Sequence, residues 1–246
     1  LDKALNEHLV GDDLEILWHC GEPLVLPVDI YDQFFLTIDE KLRSRSKYTL
    51  AIQTNGTLLS EKWCSFLKRW NVKVGISIDG PKNLHDSNRK DRQGQGTFEG
   101  AIRGLRLLQS ANISCYIIAV IGSDSLTRPT ELHDFFLSTG VRQICFNVEE
   151  VDGIHLNSSL QDPKMDSRVE NFFLSYFRLV DSPGSYWLRE YEHTLRALFS
   201  RELANSMVTP FEMLTVDHAG NYSTFSPELL NARMPDGRLM QMGNVH

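Results

Sequence analysis

The sequence predicts an α/β protein built on a parallel sheet. Three observations carry the prediction. Five short apolar runs alternate with amphipathic stretches between Leu14 and Glu149, the order of strand–helix crossovers. The chain has 246 residues, 41% hydrophobic and 23% charged, enough for a sizeable core and outside the disordered and fibrous classes. Polar residues gather where the predicted strands end.

Each element has a local reason. Leu14 to His19 is a short strand-like run, closed by Cys20-Gly21-Glu22-Pro23. From Val28 to Arg45, Ile30, Phe34, Ile38 and Leu42 recur at helical spacing. Tyr48 to Gln53 is a strand ended by Thr54-Asn55-Gly56, and Ser60 is placed to cap a helix running to Trp70. Val72, Val74, Ile76 and Ile78 alternate with Lys73, Gly75, Ser77 and Asp79, a strand with one greasy face. Gly80 to Gly96 is expected to be a polar loop, and Thr97 to Ala111 a helix. Ser114 to Ile121 is a strand. Pro129 suits the first position of a helix that ends near Gly140, and Arg142 to Glu149 is another strand. Helices are expected over 163–181 and 186–203, and strands in Met213–Phe225 around a turn at Ala219-Gly220-Asn221.

One face of the strands is unusual. Ala51, Gln53 and Asn55, then Gly75, Ser77 and Asp79, then Cys145, Asn147 and Glu149 are small or polar. A filled barrel would place bulky aliphatics there. Polar groups inside need partners, which suits a wide or incomplete barrel around a polar ligand. An open doubly wound sheet with polar strand ends stands level with it on periodicity.

A formal charge of −7 argues against a general nucleic-acid or anionic-membrane binder. No apolar run approaches a membrane span, and no signal peptide opens the chain. Cys20, Cys64, Cys115 and Cys145 form no CxxC or CxxxC pair, which points to thiols in a reducing cytoplasm. No metal ligand is assigned within the chain.

Three polar clusters fall at the carboxyl ends of successive strands, where parallel α/β proteins bind ligands: Cys20 to Pro23, Gln53 to Gly56, and Ser77 to Pro81. Gly21 permits close backbone approach. Glu22 offers a carboxylate to an ammonium group, Ser77 and Asp79 suit ribose or carboxylate groups, and Arg89 suits a carboxylate clamp. Turn chemistry accounts for any one cluster, but less well for three in series. His85-Asp86 reads either as a metal or acid–base pair or as part of a solvated loop.

Together, ILWHCGEP, IQTNGTLL, VGISIDGP and LHDSNRKDRQGQGTF resemble the radical S-adenosylmethionine (radical SAM) enzymes. The likeness runs almost unbroken from Leu14 to Glu150. It is closest to the peptide- and protein-modifying branch with a C-terminal SPASM extension, which includes the sulfatase maturases. Cys20 stands where that family's motif has its first glycine. The resemblance implies a partial (β/α)6 TIM-like barrel with S-adenosylmethionine across the strand ends. It also implies a [4Fe–4S] cluster whose CxxxCxxC loop is expected upstream of Leu1. Cleavage of the cofactor to a 5′-deoxyadenosyl radical would then abstract a substrate hydrogen. Residue by residue, the resemblance assigns Gly21, Glu22 and Pro23 to the methionyl amino group and Gln53, Thr54 and Asn55 to the cofactor and substrate cavity. Ser77 and Asp79 are assigned to the ribose- and carboxylate-facing end, and Arg89 to a carboxylate.

The tail from Thr215 to Ser226 looks like the start of a SPASM region, with auxiliary [4Fe–4S] ligands expected beyond His246. In sulfatase maturases a cluster cysteine and an aspartate base follow this hairpin, and here Phe225 and Ser226 stand in those places. The tail looks more like maturases that crosslink ribosomally made peptides, cyclophane formers among them. Glu228 reads as an ordinary turn residue. The expected organisation is a barrel core over 1–160, a helical connector over 161–210 and an extension over 211–246. Expected partners are a precursor peptide and an electron donor such as flavodoxin or ferredoxin. Two alternatives remain: a barrel that binds a peptide or S-adenosylmethionine without radical chemistry, and a formylglycine-generating maturase. An enzyme of phosphorylated metabolites would want a glycine-rich phosphate loop late in the barrel, and Glu150 to His155 does not provide one.

Overall fold

Six parallel strands lie in sequence order, and that order decides the architecture. The structure is a computed structural model describing residues 1–6, 10–151, 157–200, 212–224, 226–227, 230, 232–234 and 236–246. After a short helix α1 (Asp2–Asn6) come β1 (Asp13–Trp18), α2 (Val28–Leu42), β2 (Lys47–Thr54), α3 (Glu61–Arg69), β3 (Lys73–Ser77) and α4 (Lys82–Asn88). Then follow α5 (Phe98–Ser110), β4 (Cys115–Ile121), α6 (Pro129–Ser138), β5 (Gln143–Val148), α7 (Met165–Val180), β6 (Trp187–Leu188) and α8 (Arg189–Ser200). A separate antiparallel sheet joins β7 (Thr215–Val216), β8 (Asn221–Ser223) and β9 (Gly243–Asn244).

A doubly wound sheet reverses its strand order at a switch point. This sheet does not, so crossovers of one hand lay the helices on one face and leave the other concave. Ile52, Val74, Ile76, Ile117, Ala119, Ile121 and Ile144 are fully buried on the helix side. They join Tyr31, Phe35, Phe66, Leu105, Phe136, Phe172 and Tyr176 in one core cluster. The opposite face carries Gln53, Gly75, Tyr116 and Cys145, as the register pairs Gln53 with Gly75 and Gly75 with Tyr116 show. The fold is the partial barrel that the sequence resemblance implies, and the open-sheet alternative is set aside.

Three local expectations change. The stretch Gly80–Gly96 is not all loop, because α4 occupies Lys82–Asn88 after Pro81. Its seven residues bury only Leu84 and His85, too short a stripe for periodicity to reveal. In α2 the core face is Val28, Tyr31, Phe35 and Leu42, while Phe34 is exposed. Steps of four drift around a helix of 3.6 residues per turn, so a core stripe must mix threes and fours. The expected helix from residue 186 begins instead with β6, whose two residues show no alternation; residues 201–203 lie outside the described residues. The other expected elements are present, including Ser60, whose hydroxyl caps α3 at Trp63 N, and β9 is a third strand beside the expected hairpin. Among the described residues, no helix is long and apolar enough to cross a membrane.

Candidate functional site

The three motif clusters form one hydrogen-bonded rim across the carboxyl ends of β1 to β4. Glu22 joins the first two. One carboxylate oxygen accepts from Thr54 Oγ1 at 2.6 Å and from Leu24 N at 3.0 Å. The other accepts from Asn55 N at 2.8 Å. Its acceptor capacity is therefore largely used inside the protein, fastening the β1 loop to the end of β2. Pro23 opens a 3-10 turn, and its carbonyl accepts from Tyr31 O–H at 3.1 Å. Burial, then the Glu22 charge, pushes the Tyr31 phenol up to about 12. Asn55 closes its own turn by accepting from Thr57 N and Oγ1.

Gln53 joins the second and third clusters, donating from Nε2 to Ser77 Oγ at 3.1 Å. Its Oε1 is buried and has no partner among the described residues. A buried acceptor left unpaired costs about 1–3 kcal/mol, which a ligand donor would offset. Gly75 makes room for this arrangement. A Cβ there would sit 1.8 Å from Gln53 Oε1 and 2.6 Å from the Tyr116 ring. Tyr116 is pushed up to about 12 by burial, then by Glu15 and Cys145.

The third cluster is turned inward. Asp79 is buried, and its carboxylate accepts from Arg89 Nε at 2.6 Å, Arg89 Nη2 at 2.9 Å and Val120 N at 2.9 Å. Asp79 therefore orients Arg89 rather than offering a free carboxylate to a ligand. Arg89 in turn has spent its Nε–Nη2 edge, leaving Nη1 for a ligand anion. His85 and Asp86 make no metal pair. Both His85 nitrogens have partners, and Asp86 accepts from Phe98 N at 2.9 Å at the start of α5.

Gly21 has φ +67° with open space around its Cβ position. Cys20 beside it has φ +66°, a left-handed backbone that glycine accepts without cost and a side chain does not.

Radical SAM superfamily sequences match residues 3–136, the segment that builds this rim. The chain belongs to the radical SAM superfamily. This radical SAM chain is 35% identical to an uncharacterized protein of Synechocystis over 99% of its own length and 67% of the relative's. It is 28% identical to a serine-type anaerobic sulfatase-maturating enzyme of Bacteroides thetaiotaomicron, over 79% of its length and 51% of that enzyme's. It thus spans between half and two thirds of these relatives. In fold it is similar to native anSMEcpe with bound AdoMet and Kp18Cys peptide, with TM-score 0.76 and 20% identity over 99% of this chain and 69% of that one.

The rim of the radical SAM chain fits a polar ligand such as S-adenosylmethionine: an orphaned buried acceptor, a serine hydroxyl and one end of a guanidinium remain available. An iron–sulfur cluster does not find a seat among the described residues. No three His, Cys, Asp or Glu side chains there lie together. Cys64 is buried in α3, and burial pushes Cys115 and Cys145 up to about 11, which keeps them as thiols. Phe225, Glu228 and residues 152–156 lie outside the described residues. Sequence reasoning missed Thr97, Tyr116 and the backbone of Val120. Thr97 directly precedes α5 and Tyr116 is the second residue of β4, so both read as ordinary element starts, and a backbone donor has no sequence signal.

Proposed function

We propose that this chain forms the S-adenosylmethionine-binding part of a radical SAM enzyme that modifies a peptide or protein. The carrying observation is the continuous rim from Glu22 to Arg89, inside the segment that matches the superfamily. In this reading Gly21, Glu22 and Pro23 shape the backbone that receives the methionyl amino group. Gln53, Thr54, Asn55 and Ser77 line the cavity, Asp79 orients Arg89, and Arg89 meets the carboxylate. Bound S-adenosylmethionine supplies hydrogen-atom abstraction after one-electron cleavage of its carbon–sulfur bond. The protein holds the reactants in register and excludes water. The accompanying cofactor is a [4Fe–4S] cluster, with further auxiliary clusters, and the electron donor is a flavodoxin or ferredoxin in the cytoplasm.

A peptide substrate is supported by the sulfatase-maturating relatives and by the peptide-bound structural neighbour. Within that class we favour crosslink formation in a ribosomally made peptide, of the cyclophane kind. Phe225 and Ser226 cannot supply the cluster cysteine and aspartate base of formylglycine formation. The sheet of β7, β8 and β9 is read as the start of a SPASM-type extension, after a connector over 161–210 and a core over 1–160. Its turn is built by Asp217, which accepts from Ala219 N and Asn221 N.

The test uses the full-length protein carrying this chain, reconstituted anaerobically with iron and sulfide and reduced with dithionite. Release of 5′-deoxyadenosine from S-adenosylmethionine is expected. A reconstituted protein that does not cleave it, whether or not it binds it, would leave the non-radical binding barrel in its place. Tandem mass spectrometry of peptides encoded beside the gene then separates the two products. A crosslink and formylglycine made from serine both lose two hydrogens. Only a crosslink keeps the residues between its ends from fragmenting, and only formylglycine is an aldehyde that a hydrazide captures.

A further inference from the structure

We propose that His85 and Thr97 are positioning residues that hold the Arg89 guanidinium ready for a ligand carboxylate. The inference rests on the reading that Arg89 meets the carboxylate of S-adenosylmethionine. What carries it is a ring of hydrogen bonds in which every proton has one assignment.

Asp79 N–H donates to His85 Nδ1 at 3.3 Å, so Nδ1 carries no proton. The neutral ring must then be protonated at Nε2, which donates to Thr97 Oγ1 at 3.1 Å. That hydroxyl has its own proton free to donate to the Arg89 carbonyl, also at 3.1 Å. Thr97 N–H donates to the same carbonyl at 3.1 Å. From Arg89 the guanidinium returns to the Asp79 carboxylate through two bonds. The ring closes on the residue where it began.

The surroundings keep the ring dry and still. His85 is 1% exposed and meets the edge of Phe98 at 5.8 Å. The Asp79 side chain is 3% exposed, whereas that of Arg89 is 26% exposed. The guanidinium is thus the part of the ring that reaches toward solvent. Its backbone is fixed by Thr97 and its side chain by Asp79, and Asp79 is fixed by His85 and Val120. An arginine held this way has little rotamer freedom left to lose when an anion arrives. Thr97 makes no side-chain cap to α5, so its hydroxyl has no role in starting that helix.

The test is a pair of ligands of which one has the α-amino and α-carboxylate groups and the other has neither, so a split confined to variants of the Arg89 ring reports the carboxylate. S-adenosylhomocysteine carries an amino-acid carboxylate, and 5′-methylthioadenosine lacks it. Calorimetric titrations on the full-length, cluster-reconstituted protein compare wild type with Thr97→Val, Thr97→Ser and His85→Gln. Thr97→Val is expected to weaken S-adenosylhomocysteine about three- to tenfold, in line with the cost of ordering one long side chain. It should leave 5′-methylthioadenosine unchanged, and Thr97→Ser should bind both like wild type. His85→Gln should show the same split by an independent route. Equal weakening of both ligands, or none of either, overturns the proposal. A wild-type protein that binds neither ligand overturns the S-adenosylmethionine reading itself, a different result from a wild type that binds and a Thr97→Val that binds identically.

Discussion

Cys20 carries the least comfortable backbone in the site. A left-handed conformation costs an L-residue about 1–2 kcal/mol, partly offset by the extra freedom glycine has when unfolded. Cys20→Gly should therefore stabilise the protein by about 0.5–1 kcal/mol, read as a higher midpoint in urea. An unchanged or lower midpoint would mean that contacts of the thiol, such as the one with His19 Nδ1 at 3.1 Å, outweigh the strain. His85 gives a second residue-level prediction. Burial, and to a lesser degree Arg89, lowers its pKa from 6.5, against opposing pulls from Asp79 and Asp86. The unfolded imidazole takes up a proton near pH 6.5, where the folded one stays neutral. Below that pH the unfolded state binds more protons, so stability falls as pH drops and is flat above. The slope is at most about 1.4 kcal/mol per pH unit. Chemical denaturation of wild type and His85→Gln between pH 7.5 and about 5 should show this slope in wild type alone. Parallel profiles would contradict the neutral buried imidazole.

At the scale of elements, the far edge of the sheet is closed by side chains as well as by a strand. β6 pairs with β5 only at Gln143 and Ile144. Beyond that point Glu190 accepts from Phe146 N at 2.7 Å, and Arg189 donates to Phe146 O and to Asn147 Oδ1. The first residues of α8 thus continue the ladder where the strand has run out. Open sheet edges invite pairing with other chains, and this one is covered. Glu190→Ala leaves a buried N–H without a partner and should cost about 1–3 kcal/mol. Hydrogen exchange at Phe146 should quicken with it. Unchanged exchange there would show that the ladder does not depend on Glu190.

At the scale of the whole molecule, the outer face of the sheet and its helices form the core, while the concave face carries Gln53, Gly75 and Tyr116 and, in the proposed function, receives the ligand. Such a division leaves ligand binding as a source of stability. At a hundred times its Kd, S-adenosylmethionine should add about 2.7 kcal/mol to unfolding. The full-length protein should melt measurably higher with S-adenosylmethionine than with an equal concentration of ATP. Equal melting with both would speak against a specific site. Much of the candidate site was legible because its motifs are local. Gly21-Glu22-Pro23 follows a strand, while Gln53-Thr54-Asn55 and Ser77 through Asp79 run from the last strand residues into the turn, and strand alternation already shows which way Gln53 and Ser77 face. His85 was visible as a residue but not as a partner of Asp79 N, because helix α4 folds it back across six positions.

By itself the sequence determined the alternation of strands and helices, the polar concave face and the three strand-end motifs, since period and turn chemistry are written in neighbouring residues. Tertiary structure decided the rest. Strand order, and with it barrel over doubly wound sheet, depends on which strands meet after long crossovers. The use of charge was decided there too: Glu22 is spent on Thr54 and Asn55, and Asp79 on Arg89 and Val120. A carboxylate advertises its charge in the sequence, but burial forces it to find donors, and only the packed fold shows which donors are within reach.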